Sequence, residues 1–177
     1  MNEFAYFLEI LKYTISGLLV FFVGWYFVQS HIKKLYNYKL IEIKKASQEH
    51  VLPLRLQAYE RLILFLERIN PDNMLVRLHA PGMSALEMQN IILSEIRAEY
   101  HHNITQQLYV SHTSWAMVKK IKENTIGMVN NAVKGLPKDA SAVNLSKAVL
   151  THLSNLEGEN PYDTALNTVK QDIQQIF

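Results

Sequence analysis

Hydrophobic residues fall along this chain in two regimes. From Tyr13 to Ser30 they form an uncharged, mostly apolar run, YTISGLLVFFVGWYFVQS. Beyond it they recur every three or four residues, broken at intervals by proline and glycine. At ~1.5 Å per residue the run makes a helix of roughly 27 Å, close to the hydrocarbon thickness of a thin bilayer. A buried core helix is the competing reading, but Leu18, Leu19, Val20, Phe21, Phe22 and Val23 leave no polar face to meet water. The pattern therefore predicts a single transmembrane helix.

The spacing of Ile32, Leu35, Tyr36, Leu40 and Ile43 carries the helix outward as an amphipathic neck to about Ser47. Pro53 punctuates the chain, and Leu54 to Ile69 reads as a new helix with the proline in its first turn. Its apolar positions reach most of the way round, as expected for a central bundle helix or one that buries a face against a partner. Asn70-Pro71 ends it, and Pro81-Gly82 is a second breaker, leaving between them a connection with room for one short helical turn. Ser84 and Glu87 form a capping box ahead of a long helix with a seam of Leu86, Leu93, Ile96, Tyr100, Ile104 and Leu108. That helix runs to Tyr109 or breaks near Ser111, with Ser111 and Ser114 as alternative caps.

The next helix, about Thr113 to Lys134, presents Trp115, Val118, Ile121, Thr125, Met128 and Ala132 and stops at Gly135-Leu136-Pro137. Asp139 or Ser141 caps a shorter helix to about Leu156, with Val143, Leu145, Val149, Leu153 and Leu156 as its seam. Asn160-Pro161 opens the last, with Tyr162, Ala165, Leu166, Val169, Ile173 and Ile176. Sustained period-two alternation is absent, so no sheet is expected. The predicted fold is all-α: an N-terminal flank and anchor over residues 1–30, a juxtamembrane neck over 31–52, and a bundle of about four helices over 53–177.

Charge gives the anchor a direction. Lys33, Lys34, Lys39, Lys44 and Lys45 follow the run, opposed by Glu42, while Glu3, Glu9 and Lys12 leave the other flank near neutral. The positive-inside tendency places the C-terminal body in the cytoplasm and the N-terminus outside. The start lacks the basic region and small-residue cleavage site of a signal peptide, so the run is expected to be retained. A net charge of +2 is too small to imply a nucleic-acid partner. With no cysteine there is no disulfide, thiolate nucleophile or cysteine-based metal site.

Candidate chemistry is sparse. Glu99 and His102 sit at the Glu-x-x-His spacing by which carboxylate-bridged helical bundles hold metals, flanked by Glu95 and His101. Such sites need a second pair and two further carboxylates on facing helices, and the chain supplies one pair. No cofactor is expected. His79, His112 and His152 stand singly, and no nucleophile motif or glycine-rich phosphate loop is present. Lys119, Lys120 and Lys122 read as a solvated helix face. The five neck lysines could hold anionic lipid headgroups at roughly 1 kcal/mol each, or serve only as a topology signal.

The segments PLRLQAYERLILFLERINP (Pro53 to Pro71) and GMSALEMQNIILSEIRAEYHHNITQQLYVSHTSW (Gly82 to Trp115) resemble a family of small, uncharacterised membrane proteins of Bacteroidetes bacteria. The resemblance implies the one-span plan and placement in the bacterial inner membrane. It implies no catalytic or ligand-binding residue. The expected role is a membrane-anchored interaction or scaffold module, with the bilayer and a partner protein, or a second copy, as its partners. A metal-binding bundle built on Glu99 and His102 and a lipid-binding neck are the alternatives.

Overall fold

The structure, a computed structural model, describes residues 2–175. Their regular elements are all helices: α1 (Asn2–Ile69), α2 (Pro71–Leu78), α3 (Ala85–Asn103), a 3-10 turn (Ile104–Leu108), α4 (His112–Lys134), α5 (Ala142–Ser154) and α6 (Pro161–Gln174). No strand occurs among the described residues, where a single antiparallel bridge joins Ser84 to Ser141. Two compact units divide the chain, Met1–Val51 and Leu52–Phe177. Ile176, assigned above to the last apolar stripe, lies outside the described residues.

The first unit is the N-terminal part of α1. Of its residues from Tyr6 to Val51 all but Ser30 are exposed, so the apolar run has no protein core around it. One helix here is long and apolar enough to cross a membrane. The expected break at Pro53 does not occur, since α1 passes through it to Ile69. Proline costs a helix interior about 3 kcal/mol by losing one N–H donor and crowding the preceding turn. Here Glu49, whose carbonyl loses its donor, is exposed to water, and firm packing from Ala58 onward holds the helix beyond.

The second unit has one core. From α1 it takes Ala58, Tyr59, Leu62, Phe65, Leu66 and Ile69, recurring at the three- and four-residue spacing that puts them on one face. Leu54 and Leu64 stay exposed. The excess apolarity of this segment is therefore spent mainly inside the body. α4 packs against α3, α5 and α6, and α2 lies on α3 and α5. The segment between the two breakers is a full two-turn helix, α2, because Asn70 caps it by accepting from the Asp72 amide and Pro71 fits its first turn.

Helix starts follow the caps. Ser84 accepts from the Glu87 amide at 3.3 Å while Glu87 accepts from the Ser84 amide at 2.9 Å. That hydrogen bond holds the Glu87 carboxyl below its ordinary range. Of the alternatives, Ser111 caps α4 and Ser141 caps α5. The starts of α3 and α5 are tied together, with the Ala85 amide donating to the Ala140 carbonyl and the Ala142 amide to the Met83 carbonyl, both at 2.9 Å. Gly82, with φ +80°, makes the turn into this bridge in a conformation other residues avoid.

Two seams shift register. In α3 the buried face is Ala85, Met88, Ile92 and Ile96, and Leu86 and Leu108 are 59% and 76% exposed. In α5 the buried residues are Ala142, Leu145 and Val149, while Val143 faces outward and Leu156, expected to close the seam, lies past the end of the helix and is 41% exposed. The bridge at Ser84 and Ser141 buries Ala85 and Ala142, the first residue of each helix. The neighbouring Leu86 and Val143, about 100° further round, consequently point to solvent.

Candidate functional site

Glu99 and His102 sit in the last turns of α3, each facing an arginine of α1. Arg68 Nη2 reaches the Glu99 carboxylate at 2.9 Å, and Arg61 Nη1 donates to His102 Nε2 at 3.3 Å. The network continues along α3, where Glu95 receives Arg77 Nη1 at 2.6 Å and Arg68 Nη2 at 3.5 Å. The Arg77 hydrogen bond holds the Glu95 carboxyl below its ordinary range, aided by the charges of Arg77 and Arg68. His101 turns its Nδ1 to the Arg97 carbonyl at 2.8 Å. A cation at Glu99 and His102 would have to displace two guanidinium groups. Among the described residues no group of three or more His, Asp or Glu side chains is placed to hold a metal. The arrangement ties α1 and α2 to α3.

A second cluster lies where the chain leaves α3 for α4. Lys122 sits with Nζ 4.1 Å from the centroid of the Tyr100 ring, which stacks on Trp115 at 5.6 Å and meets the edge of Phe65. Lys122 is thus half-buried rather than part of a solvated lysine face, whereas Lys119 and Lys120 are exposed. Its ammonium is attracted to the face of the ring and pairs with Glu123 at 2.7 Å.

Beside it, Ser111 and Ser114 both donate to the carboxylate of Asp172 in α6. The Ser111 amide donates to Tyr59 Oη at 3.0 Å, and Arg55 Nε to the Tyr109 carbonyl at 3.3 Å. These contacts place a negative charge at the start of α4, where the helix dipole favours it, and lock three elements together.

Among several hollows on the body, one with room for a ligand lies between α4, α5 and α6. Met128, Leu153 and Leu156 supply apolar walls, and Asn124, Asn131 and His152 the polar groups, around about 350 Å³. A second hollow of about 310 Å³ shares Met128, Asn131 and His152, so the two form one groove along α4. Gly127, with no atom beyond its own stretch of helix within 4 Å of where a Cβ would stand, leaves open space in its wall. At one end Tyr162 donates to Thr125 Oγ1 at 2.6 Å, because the single Thr125 hydroxyl hydrogen is committed to the Ile121 carbonyl at 2.7 Å. Burial pushes the Tyr162 phenol up to about 12. An apolar groove edged with amides can hold an apolar side chain and its flanking backbone.

Sequence reasoning missed this groove, whose single hint was a glycine in the middle of an amphipathic helix. The neck lysines Lys33, Lys34, Lys39, Lys44 and Lys45 are all exposed on α1.

Residues 5–176 match a family of unknown function, DUF7935. The chain belongs to that family. No curated protein and no solved structure matches it. The match spans both segments on which the resemblance above was drawn.

Proposed function

We propose that this DUF7935 chain is a membrane-anchored helical interaction module. In this reading α1 crosses the inner membrane of a Bacteroidetes bacterium once, N-terminus outside, and the body recruits or scaffolds a partner protein at the cytoplasmic face. The observation that carries it is the run Tyr13 to Ser30, whose side chains are exposed apart from half-buried Ser30 and which has no core of its own. In water such a run costs about 25 cal/mol for each Å² of apolar surface left uncovered, whereas a bilayer covers it. The lysine bias of the neck supports the direction. The groove of α4, α5 and α6 is the surface assigned to the partner, because its walls offer binding contacts rather than a reacting pair. The arginine partners of Glu99 and His102 weigh against the metal-binding alternative.

Because the chain has no cysteine, single cysteines report position unambiguously. In intact spheroplasts an impermeant maleimide is expected to label Glu9→Cys directly and Lys138→Cys only after lysis, with the chain resistant to alkaline carbonate. A photocrosslinker at Met128 or Leu156 is expected to capture a reproducible protein that the same group at Leu108 does not. Release by carbonate would sink the anchor. Equal capture at all three positions would sink the groove as the recruiting surface.

A further inference from the structure

Resting on the single-span reading above, we propose that Lys33, Lys34 and Lys39 form a collar binding the phosphates of anionic phospholipids, and that Lys44 and Lys45 lie beyond lipid reach. All five are exposed on one uninterrupted helix. Sharp kinks need a cause such as proline or glycine, and between Gly24 and Pro53 the chain has neither. The neck therefore continues the axis of the span and leaves the membrane instead of lying along it. Rise along the axis then sorts the lysines: from Ser30, Lys33 and Lys34 stand ~5 Å out, Lys39 ~14 Å, and Lys44 and Lys45 ~21–23 Å.

Two further effects sharpen that sorting. Side chains on a helix lean toward its N-terminus, which here is the membrane side, so each lysine reaches back by up to about 6 Å. The headgroup layer is roughly 5–7 Å thick, and charges are screened over about 8 Å at physiological salt. Lys33 and Lys34 fall inside the layer and Lys39 within one screening length of it. Lys44 and Lys45 remain well outside.

Angular position agrees. At ~100° per residue, Lys34 lies about 100° and Lys39 about 240° round from Lys33, so the three surround the helix. A helix lying on the surface would instead bury Lys39, which stands within the stripe of Ile32, Leu35, Tyr36 and Ile43. Lipids on every side of an upright helix match a ring of cations.

The test uses the full chain reconstituted in vesicles of phosphatidylcholine with phosphatidylglycerol in both leaflets, so that either insertion direction presents the collar to anionic lipid. Native mass spectrometry after mild extraction counts the lipids retained. The wild type is expected to retain phosphatidylglycerol preferentially, with the preference falling in high salt. K33Q/K34Q/K39Q is expected to lose roughly fivefold of that preference per lysine, and K44Q/K45Q to keep it. A triple variant that retains the preference overturns the collar, and equal losses in the two variants overturn the upright neck. Alkaline carbonate extraction of the same vesicles separates these from failure of the anchor, since a chain stripped from the bilayer overturns the single-span reading itself.

Discussion

At the scale of single residues, the Thr125 and Tyr162 hydroxyls show how direction in a hydrogen bond sets its worth. Thr125 gives its hydrogen to the Ile121 carbonyl, so Tyr162, 2% exposed, has Thr125 as its acceptor. Thr125→Val strands the phenol and is expected to cost about 1–3 kcal/mol, while Tyr162→Phe leaves Thr125 bonded and costs about 0.5–1.5 kcal/mol. Urea denaturation of the body measures both. The same burial that makes the phenol a poor acid couples it to pH. Its folded value of about 12 lies above the ordinary value of 10.0, so the folded state holds a proton that the unfolded chain releases first. The stabilisation is complete below pH 10 and is lost as pH rises through 12. Over that window Tyr162→Phe should lose stability less steeply than the wild type. Parallel slopes would mean that the phenol ionises in the folded protein as it does in the unfolded one.

At the scale of elements, helix starts were legible in the sequence because a cap is a local device: Ser84 with Glu87, Asn160 with Pro161, and Gly135 at a stop all act within a few residues. Helix faces were less legible. The backbone bridge between the starts of α3 and α5 chose Ala85 and Ala142 for the interior and turned Leu86 and Val143 outward, a choice made by a partner far away in the chain. Pro53 was misread for a similar reason, since whether a proline ends a helix depends on what holds the helix beyond it. The candidate sites divide in the same way. Glu99 and His102 were visible at their spacing, but Arg68 and Arg61, which occupy them, come from another helix. The groove needs three helices, and its one local trace was Gly127 in the middle of α4. Two substitutions separate local from tertiary capping. Ser84→Ala, which removes a local cap, is expected to cost about 1 kcal/mol. Asp172→Ala removes a shared acceptor from Ser111 and from fully buried Ser114, and is expected to cost about 1–3 kcal/mol. Thermal melts that put Ser84→Ala well below Asp172→Ala would reverse this ordering of local and tertiary caps.

For the whole molecule, the question is where the body begins, and continuity of α1 gives it a physical answer. A boundary at the end of that helix would leave residues 70–177 as the body, yet Tyr59, Leu62, Phe65, Leu66 and Ile69 are all buried in its core. At about 1.5–3 kcal/mol for each side chain, removing these five costs roughly 7–15 kcal/mol. That is comparable to the entire net stability of a domain, about 5–15 kcal/mol. A fragment of residues 52–177 is therefore expected to fold cooperatively, with a sharp calorimetric transition and high helicity by circular dichroism. The fragment 70–177 is expected to show neither, although it keeps five of the six helices. A sharp transition in the shorter fragment would show that α1 is an ornament to the body. Failure of both would mean that the stretch before Leu52 contributes to the fold. With the expected pair of results, one helix serves two environments: its first part exposes apolar surface that a bilayer can cover, and its last three turns supply the core on which the other helices assemble.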